Sequence, residues 1–362
     1  MKTLVLTGGG TLGHCIPCLS IAKKLEEKFD RMVYVGSVSG PEKEKAEAAK
    51  IEYYPITTVK FKREFSLSNL SIPLKLHEGI KQAEKILKDV SASVVFSKGG
   101  YVSLPVAIAA AKRKVPLILH ESDFSLGLAN RICARYAVEV FTSFKETADK
   151  LPNGIYSGAL VSNEIFGGTK AQAYKRYNLV KNKPVLLVLG GSSGSVAINE
   201  AVCAILPELR KKYSVLHLTG KNNVKTENIS ACSRQNGEEP KDYVAVSFED
   251  EMKYAYAVCD VAVSRGGSNC LSELIAMKIP SLVIPLPKNA SRGDQIQNAE
   301  YYRKKGAFRV LLQEDLSEER LLSEIDKTYK NRVNLTLSQQ KLFFRSEDTV
   351  ANGILAAVGI PH

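Results

Sequence analysis

At 362 residues the chain exceeds the roughly 250 to 300 residues at which single cores stop growing, so two domains are expected. Fifty basic against 38 acidic residues give a formal charge of +12, which favours anionic partners such as nucleic acid, anionic lipid or phosphorylated substrates without choosing among them. Seven cysteines, an odd number set mostly in apolar patterns, argue against a disulfide framework and fit a reducing cytosol, while the longest apolar stretches, such as 102–111, fall short of the ~20 residues a bilayer span requires.

The first apolar run, residues 3–6, leads into Gly8, Gly10 and Gly13 of TGGGTLGH, a GxGxxG loop. A dinucleotide-binding unit needs Asp or Glu at the tip of the second strand, about 20 residues further on. Here the second run, 32–35, ends in GSVSG, and the nicotinamide reading fails. Such a loop can still hold a phosphate or a developing negative charge, because its N–H groups approach a ligand closely and the helix behind adds positive potential. Cys15 and Cys18 form a CxxC beside His14, but no second pair follows at zinc spacing and Pro17 lies between them. They read as buried helix residues.

Residues 56–88 interleave Phe61, Phe65, Leu67, Leu70, Ile72, Leu74 and Leu76 with Lys60, Lys62, Arg63, Lys75, Lys81, Lys85 and Lys88, offset by Glu64, Glu78 and Glu84. Such a segment suits an anionic membrane face, where apolar burial and charge attraction add; the other reading is a core-facing loop and helix with a solvated basic face. Further apolar runs at 93–96, 116–119 and 138–141 complete the first half. The polar stretch 157–170 is the expected linker, dividing an N-terminal domain 1–160 from a C-terminal domain 161–362 whose last helix can return to the first.

The second half repeats the pattern with runs at 184–189, 214–218, 244–246, 261–263 and 281–284, the first of them followed by the glycine loop GGSSG (190–194). Short apolar runs alternating with amphipathic segments predict an α/β fold of two Rossmann-like domains with parallel sheets, facing a central cleft. Chemistry-bearing residues gather where runs end: Lys98 to Ser103 (KGGYVS), His120 to Asp123 (HESD), Ser264 to Asn269 (SRGGSN) with Glu273 a turn later, and Ser291 to Gln295 (SRGDQ). Carboxyl ends of strands are where α/β proteins bind ligands.

Taken together, GGGTLGHCIP, SKGGYVS, HESD followed by GLAN, GGSSG, SRGGSN with LSEL, and SRGDQIQNA resemble the MurG family over nearly the whole chain. These bacterial enzymes add N-acetylglucosamine to the undecaprenyl-diphosphate-linked muramyl-pentapeptide. The resemblance implies a GT-B fold and inverting transfer from UDP-N-acetylglucosamine, with no cofactor and no required metal. It assigns Glu273 to the donor ribose hydroxyls, Ser192, Arg265, Gly267 and Ser268 to the uracil and pyrophosphate region, and Asp294 and Gln295 to the sugar hydroxyls. Glu249 falls where the family uses backbone groups on uracil. Thr11, Leu12, Gly13 and His14 would face the donor from the acceptor side. His14 has the pKa range for the base that takes the acceptor proton. Glu121 and Asp123 could orient the acceptor, and His120, at a strand end, reads as structural.

Three departures stand out: Leu12 replaces a glycine, Asp123 an asparagine, and ALVS at 159–162 replaces an Asn-Pro-Val-Arg type segment, so an arginine near the nucleotide is missing. The implied partners are UDP-N-acetylglucosamine, the lipid-linked acceptor and an anionic membrane surface at its cytoplasmic face. Two other readings stay open: another enzyme of the same architecture, whether a lipid-acceptor glycosyltransferase or a UDP-sugar epimerase, and a non-catalytic nucleotide-sugar sensor. Nucleic-acid binding is not expected, since the cations are dispersed, tryptophan is absent and no binding motif is recognised.

Overall fold

The computed structural model describes residues 1–59, 72–191, 193–221 and 242–361. They divide into two units, Met1–Ser162 with Arg345–His362, and Asn163–Phe344.

The first unit runs β1 (Thr3–Gly8), α1 (Leu12–Lys24), β2 (Arg31–Ser37), α2 (Glu42–Ala48), β3 (Glu52–Ile56), α3 (Ile72–Asp89), β4 (Ala92–Gly99), α4 (Ser103–Lys112), β5 (Leu117–Glu121), α5 (Leu128–Cys133), β6 (Glu139–Thr142), α6 (Lys145–Ala148) and β7 (Gly154–Tyr156). Its described strands form a parallel sheet in the order β3-β2-β1-β4-β5-β6-β7. Every residue of β1 is buried, because a central parallel strand is covered on both faces, and that is why it reads as a continuous apolar run. One face, with Leu4, Leu6, Phe96 and Ile118, packs on Cys15, Cys18 and Ile21 of α1. The other, with Val5, Val33, Val95 and Leu119, packs on α3 and α4 through Ala83, Leu87, Val106 and Ala110. In α3 the apolar residues Ile72, Ile80 and Leu87 are therefore core, whereas Leu74 is 75% exposed.

The second unit carries α7 (Lys170–Tyr177), β8 (Val185–Leu189), α8 (Val196–Ala204), α9 (Leu206–Lys212), β9 (Ser214–Leu218), β10 (Tyr243–Val246), α10 (Met252–Val258), β11 (Val261–Ser264), α11 (Ser268–Ala276), β12 (Ser281–Val283), α12 (Asp294–Lys304), β13 (Arg309–Val310), α13 (Glu318–Lys330) and α14 (Arg332–Leu342). Its parallel sheet has the order β10-β9-β8-β11-β12-β13. The chain then supplies α15 (Glu347–Ala356), whose Val350, Ala351, Ile354 and Leu355 join the core of the first unit beneath α1. Lys24 pairs with Asp348 at 2.5 Å, and Ser20 donates to Glu347.

The apolar runs of the sequence all fall in strands, but β3, β7 and β13 had no such run. All three are short and half-exposed, and Pro55 of β3 is tolerated because the strand is an edge. The stretch read as a linker is partly core: Ser157, Leu160, Val161 and Ile165 are buried.

Candidate functional site

Each sheet has a point where its topology reverses. In the first unit β1 connects outward to β2 on one side and β4 to β5 on the other, so the loops leaving β1 and β4 diverge at the carboxyl edge and leave a crevice between them. Gly10, Gly99 and Gly100 take φ of +88°, +93° and +86°, the left-handed region that glycine enters without penalty. At Gly100 a Cβ would lie 2.5 Å from the Gly9 carbonyl oxygen and 3.1 Å from His14 Cδ2, so only a bare backbone lets the imidazole lie there. His14 Nδ1 is 3.3 Å from the Lys98 carbonyl oxygen. A carbonyl only accepts, so as a hydrogen bond this contact places the proton on Nδ1 and the ring lone pair on Nε2. Thr11 precedes α1 in an extended conformation but its side chain makes no cap; it is exposed, and Leu12 and Gly13 are half-buried.

Behind this loop lies a buried charged group of residues. Lys98 is fully buried, its Nζ donates to Ser122 Oγ, and burial holds its pKa below the usual lysine range despite the nearby Glu121 and Asp123 carboxylates. Glu121 accepts from Asp123 N (2.9 Å), Gly127 N (3.2 Å) and Asn130 Nδ2 (2.8 Å). Burial, then the Asp123 charge, pushes its carboxyl up. With those bonds Glu121 holds the loop on which Asp123, itself half-buried, is carried. His120 is buried with Nε2 3.1 Å from the Gly158 carbonyl, and burial holds it well below its ordinary pKa, as a neutral strand-end imidazole.

The CxxC pair is buried under β1. Burial pushes the thiols up to about 11 at Cys15 and about 12 at Cys18, and their sulfurs face the Glu42 and Thr7 carbonyls.

In the second unit the reversal lies between β8 and β11. Gly191 takes φ +84° with no described residue within 4 Å of an added Cβ, and the same holds for Gly267, which precedes α11. Both loops open α-helices, α8 and α11, whose first N–H groups lack intrahelical acceptors and carry partial positive charge. Between them sits Arg265, buried, its Nη2 donating to Ser195 Oγ at 2.7 Å and its Nη1 to the Ile284 and Pro285 carbonyls at 3.1 and 3.3 Å. Ser195 in turn caps α8 by accepting from Ile198 N at 3.3 Å. Among the described residues no carboxylate pairs with this guanidinium, whose pKa burial lowers. Ser268 is buried in the first turn of α11. Ser192 lies outside the described residues.

Glu273 on α11 is half-buried; its Oε2 accepts from Tyr256 Oη at 2.5 Å, and no described residue bonds Oε1. Burial pushes its carboxyl up, and the tyrosine hydrogen bond pulls it back. Gln295 Oε1 accepts from Gly266 N (3.2 Å) and Leu286 N (3.0 Å), which fixes the amide with its Nε2 unbonded among the described residues. Asp294 accepts from Arg292 N at 3.2 Å at the start of α12, after the left-handed Gly293. The Glu249 side chain is committed elsewhere: it takes Arg176 Nε and Nη2 at 3.0 and 2.8 Å, Tyr177 Oη at 2.7 Å and Glu251 N at 2.8 Å, so its backbone is what it has to offer a ligand.

Sequence reasoning passed over Glu42, Ser195 and Tyr256, and named Lys98 only as the first residue of a strand-end motif. Glu42 is fully buried, accepting from Ser37 N (3.0 Å), Ser37 Oγ (2.6 Å) and Gly10 N (3.4 Å). The signal was present but displaced: an acid opening the helix after the second strand, past the strand tip where a dinucleotide fold places one.

Residues 4–142 match the glycosyltransferase family 28 N-terminal domain and residues 185–351 the family 28 C-terminal domain. The chain is 40% identical over 343 residues, 94% of its length and 95% of the relative's, to the UDP-N-acetylglucosamine–N-acetylmuramyl-(pentapeptide) pyrophosphoryl-undecaprenol N-acetylglucosamine transferase of Lachnospira eligens. It is 39% identical to the Clostridium botulinum protein of the same name, covering 92% of each chain. Among solved structures it is similar to Acinetobacter baumannii MurG, with a TM-score of 0.74 and 23% identity over 98% of this chain and 100% of that one. A Staphylococcus aureus MnaA co-structure with UDP gives a TM-score of 0.66 at 15% identity, over 100% of this chain and 98% of that one.

Proposed function

This chain belongs to glycosyltransferase family 28, and we propose that it transfers N-acetylglucosamine, with inversion, from UDP-N-acetylglucosamine to undecaprenyl-diphosphate-linked muramyl-pentapeptide in peptidoglycan synthesis. The observation that carries the donor half is the second unit's reversal point, where two helix N-termini, that of α8 capped by Ser195, flank a buried guanidinium bonded only to neutral acceptors among the described residues. Such a place favours a dianionic diphosphate over water. Gly191, Arg265, Gly267 and Ser268 hold the diphosphate. Glu273 takes the ribose hydroxyls on its unbonded Oε1, and Gln295, with Asp294, reads the sugar hydroxyls.

In the reaction the acceptor hydroxyl attacks the anomeric carbon from the face opposite the leaving group, forming a β-1,4 bond as the bond from that carbon to the diphosphate oxygen breaks. His14 Nε2 takes the hydroxyl proton, and the negative charge departs on UDP, stabilised by the helix N-termini and Arg265. Asp123, carried on the loop held by Glu121, orients the acceptor. Thr11 to Gly13 line its approach.

A lipid-linked acceptor requires a surface that meets the bilayer, and among the described residues no helix is long and apolar enough to cross one. We assign that contact to segment 56–88, peripheral at the cytoplasmic face of an anionic membrane. Lys60, Phe61, Lys62, Arg63 and Phe65 lie outside the described residues; Leu74, exposed at the start of α3, belongs to the same segment. Reversing Lys60, Lys62 and Arg63 to glutamate should release the protein from anionic vesicles at low salt, each cation being worth roughly 1 kcal/mol there. Vesicle sedimentation equal to the parent's would move the contact elsewhere.

The activity itself is tested with labelled UDP-N-acetylglucosamine and a short-chain lipid acceptor. The expected product carries the sugar in β-1,4 linkage with one UDP released per transfer, and activity persists in excess chelator. Isomerisation of the UDP-sugar without acceptor would establish an epimerase instead, and donor binding with no turnover a sensor.

A further inference from the structure

The first glycine loop has the pattern of a phosphate cradle, yet its immediate surroundings are filled by the chain itself. A Cβ at Gly9 would come 2.6 Å from Glu42 Oε1, and one at Gly10 would come 2.4 Å from the Tyr101 ring. Glu42 is fully buried in the first turn of α2, with Oε1 on Ser37 N and Oγ and Oε2 on Gly10 N. Gly40 makes this possible: a Cβ there would lie 2.2 Å from Glu42 Oε2 and 2.3 Å from Ser37 Oγ. The Ser37 carbonyl is held in turn by Tyr53 Oη at 2.6 Å, and the Gly8 carbonyl by Tyr34 Oη. In a dinucleotide fold the acid after the second strand turns outward to a ribose. Here it turns inward.

We propose that Glu42 is a positioning residue for the transfer reaction: its buried carboxylate acts as the loop's own fixed anion, setting the path of Gly8 to Gly13 and so the placement of His14. The need for such a tether follows from the loop itself. Three glycines in four residues give it wide conformational freedom, and Thr11 at the helix start supplies no side-chain cap to restrict it. Glu42 is anchored by its two bonds to Ser37 at 3.0 and 2.6 Å, and the one loop donor it reaches, Gly10 N at 3.4 Å, lies at the turn's left-handed residue. The inference rests on the reading of His14 as the base.

Glu42→Gln keeps the size and one carbonyl oxygen but removes the charge and turns an N–H₂ group toward either Ser37 or Gly10. Ser37→Ala removes one of the carboxylate's bonds and leaves that to Gly10. The expected result is a kcat about 10- to 100-fold lower in Glu42→Gln, with KM for UDP-N-acetylglucosamine within about twofold, since a displaced catalytic group costs turnover and not donor binding. Hydrogen exchange in residues 8–14 should quicken in that variant alone. Ser37→Ala should keep kcat within about twofold at a similar loss of thermal stability. If Glu42→Gln does not fold, Glu42→Asp serves, because it retains the charge but withdraws it from Gly10, and kcat should fall likewise. Parent kcat in the Glu42 variant, or activity lost by both variants in step with melting temperature, overturns the proposal while an impaired His14→Ala leaves the reaction reading intact. Parent kcat in His14→Ala sinks that reading and the proposal together.

Discussion

The two units repeat one topology and fill it with opposite chemistry. Each has a glycine loop after its innermost strand and a second loop after the neighbouring strand, with the sheet reversing between them. In the first unit the loop is packed from within by Glu42 and Tyr101, and the buried cation, Lys98, lies near Glu121 and Asp123. In the second, among the described residues, nothing lies within 4 Å of a Cβ added at Gly191 or Gly267, and Arg265 has hydroxyl and carbonyl partners only. A glycine-rich turn therefore reports a reversal of topology, and the balance of buried charge beside it decides whether an anion is wanted there. That balance is what supports the proposed assignment of the anion to the second unit and of proton transfer to the first.

The largest expected effect tests the first half of that contrast. His14→Ala should lower kcat by about 10² to 10⁴ with donor affinity near the parent's, and should abolish the acidic limb of the pH–rate profile. A variant that turns over normally would make the loop a scaffold and shift the base to Asp123.

The cations offer a direct comparison. Arg265→Met should weaken UDP binding by about 100-fold, because a charge-assisted contact to the diphosphate goes and the helix N-termini act alone, whereas Lys98→Met should leave UDP affinity within about twofold. Calorimetry with UDP on both variants decides it, with circular dichroism to confirm folding. Equal losses would mean that charge balance does not distinguish the two loops. Glu273→Ala should follow, at about 1.5 to 3 kcal/mol or roughly 10- to 100-fold in donor affinity, as two ribose hydroxyls lose a charged acceptor. Unchanged affinity would remove Glu273 from the site.

Much of this was legible in the sequence for a physical reason. Central parallel strands are apolar on both faces, so β1, β4, β8 and β11 appear as unbroken runs, and the residues proposed to bind ligands follow them along the chain. What stayed hidden depends on side chains turning back. Glu42 sits in EKEKAEA, a stretch that reads as a solvated helix, and its burial comes from Ser37 and the glycine loop 32 residues upstream. Glu249 reads as available, and its occupation by Arg176 and Tyr177 arises 73 and 72 residues away. Of the four edge strands among the described residues only β10 shows an apolar run; β3, β7 and β13, each open on one side and partly exposed, do not.

Tyr256 extends the comparison to its finest point, since it does for Glu273 what Glu42 does for the first loop: a buried group fixing a functional one. The hydroxyl occupies Oε2 and leaves Oε1, unbonded among the described residues, for the proposed ribose contact. Tyr256→Phe should weaken UDP binding by about 3- to 10-fold, the worth of one hydrogen bond to a charged group tempered by the remaining contacts. It should also change the pH dependence in a defined sense. Burial raises the Glu273 pKa and the tyrosine bond opposes that rise, so removing the bond raises the pKa further. The ribose hydroxyls need the ionised carboxylate as acceptor, so donor affinity is present above that pKa and is lost as pH falls through it. In Tyr256→Phe the loss should begin at higher pH than in the parent, while in Glu273→Gln this component of the pH dependence should vanish. UDP titrations across the acidic range measure both. An acid limb that stays in place in Tyr256→Phe would show that the carboxylate is held ionised by other means, and that the tyrosine only packs against it.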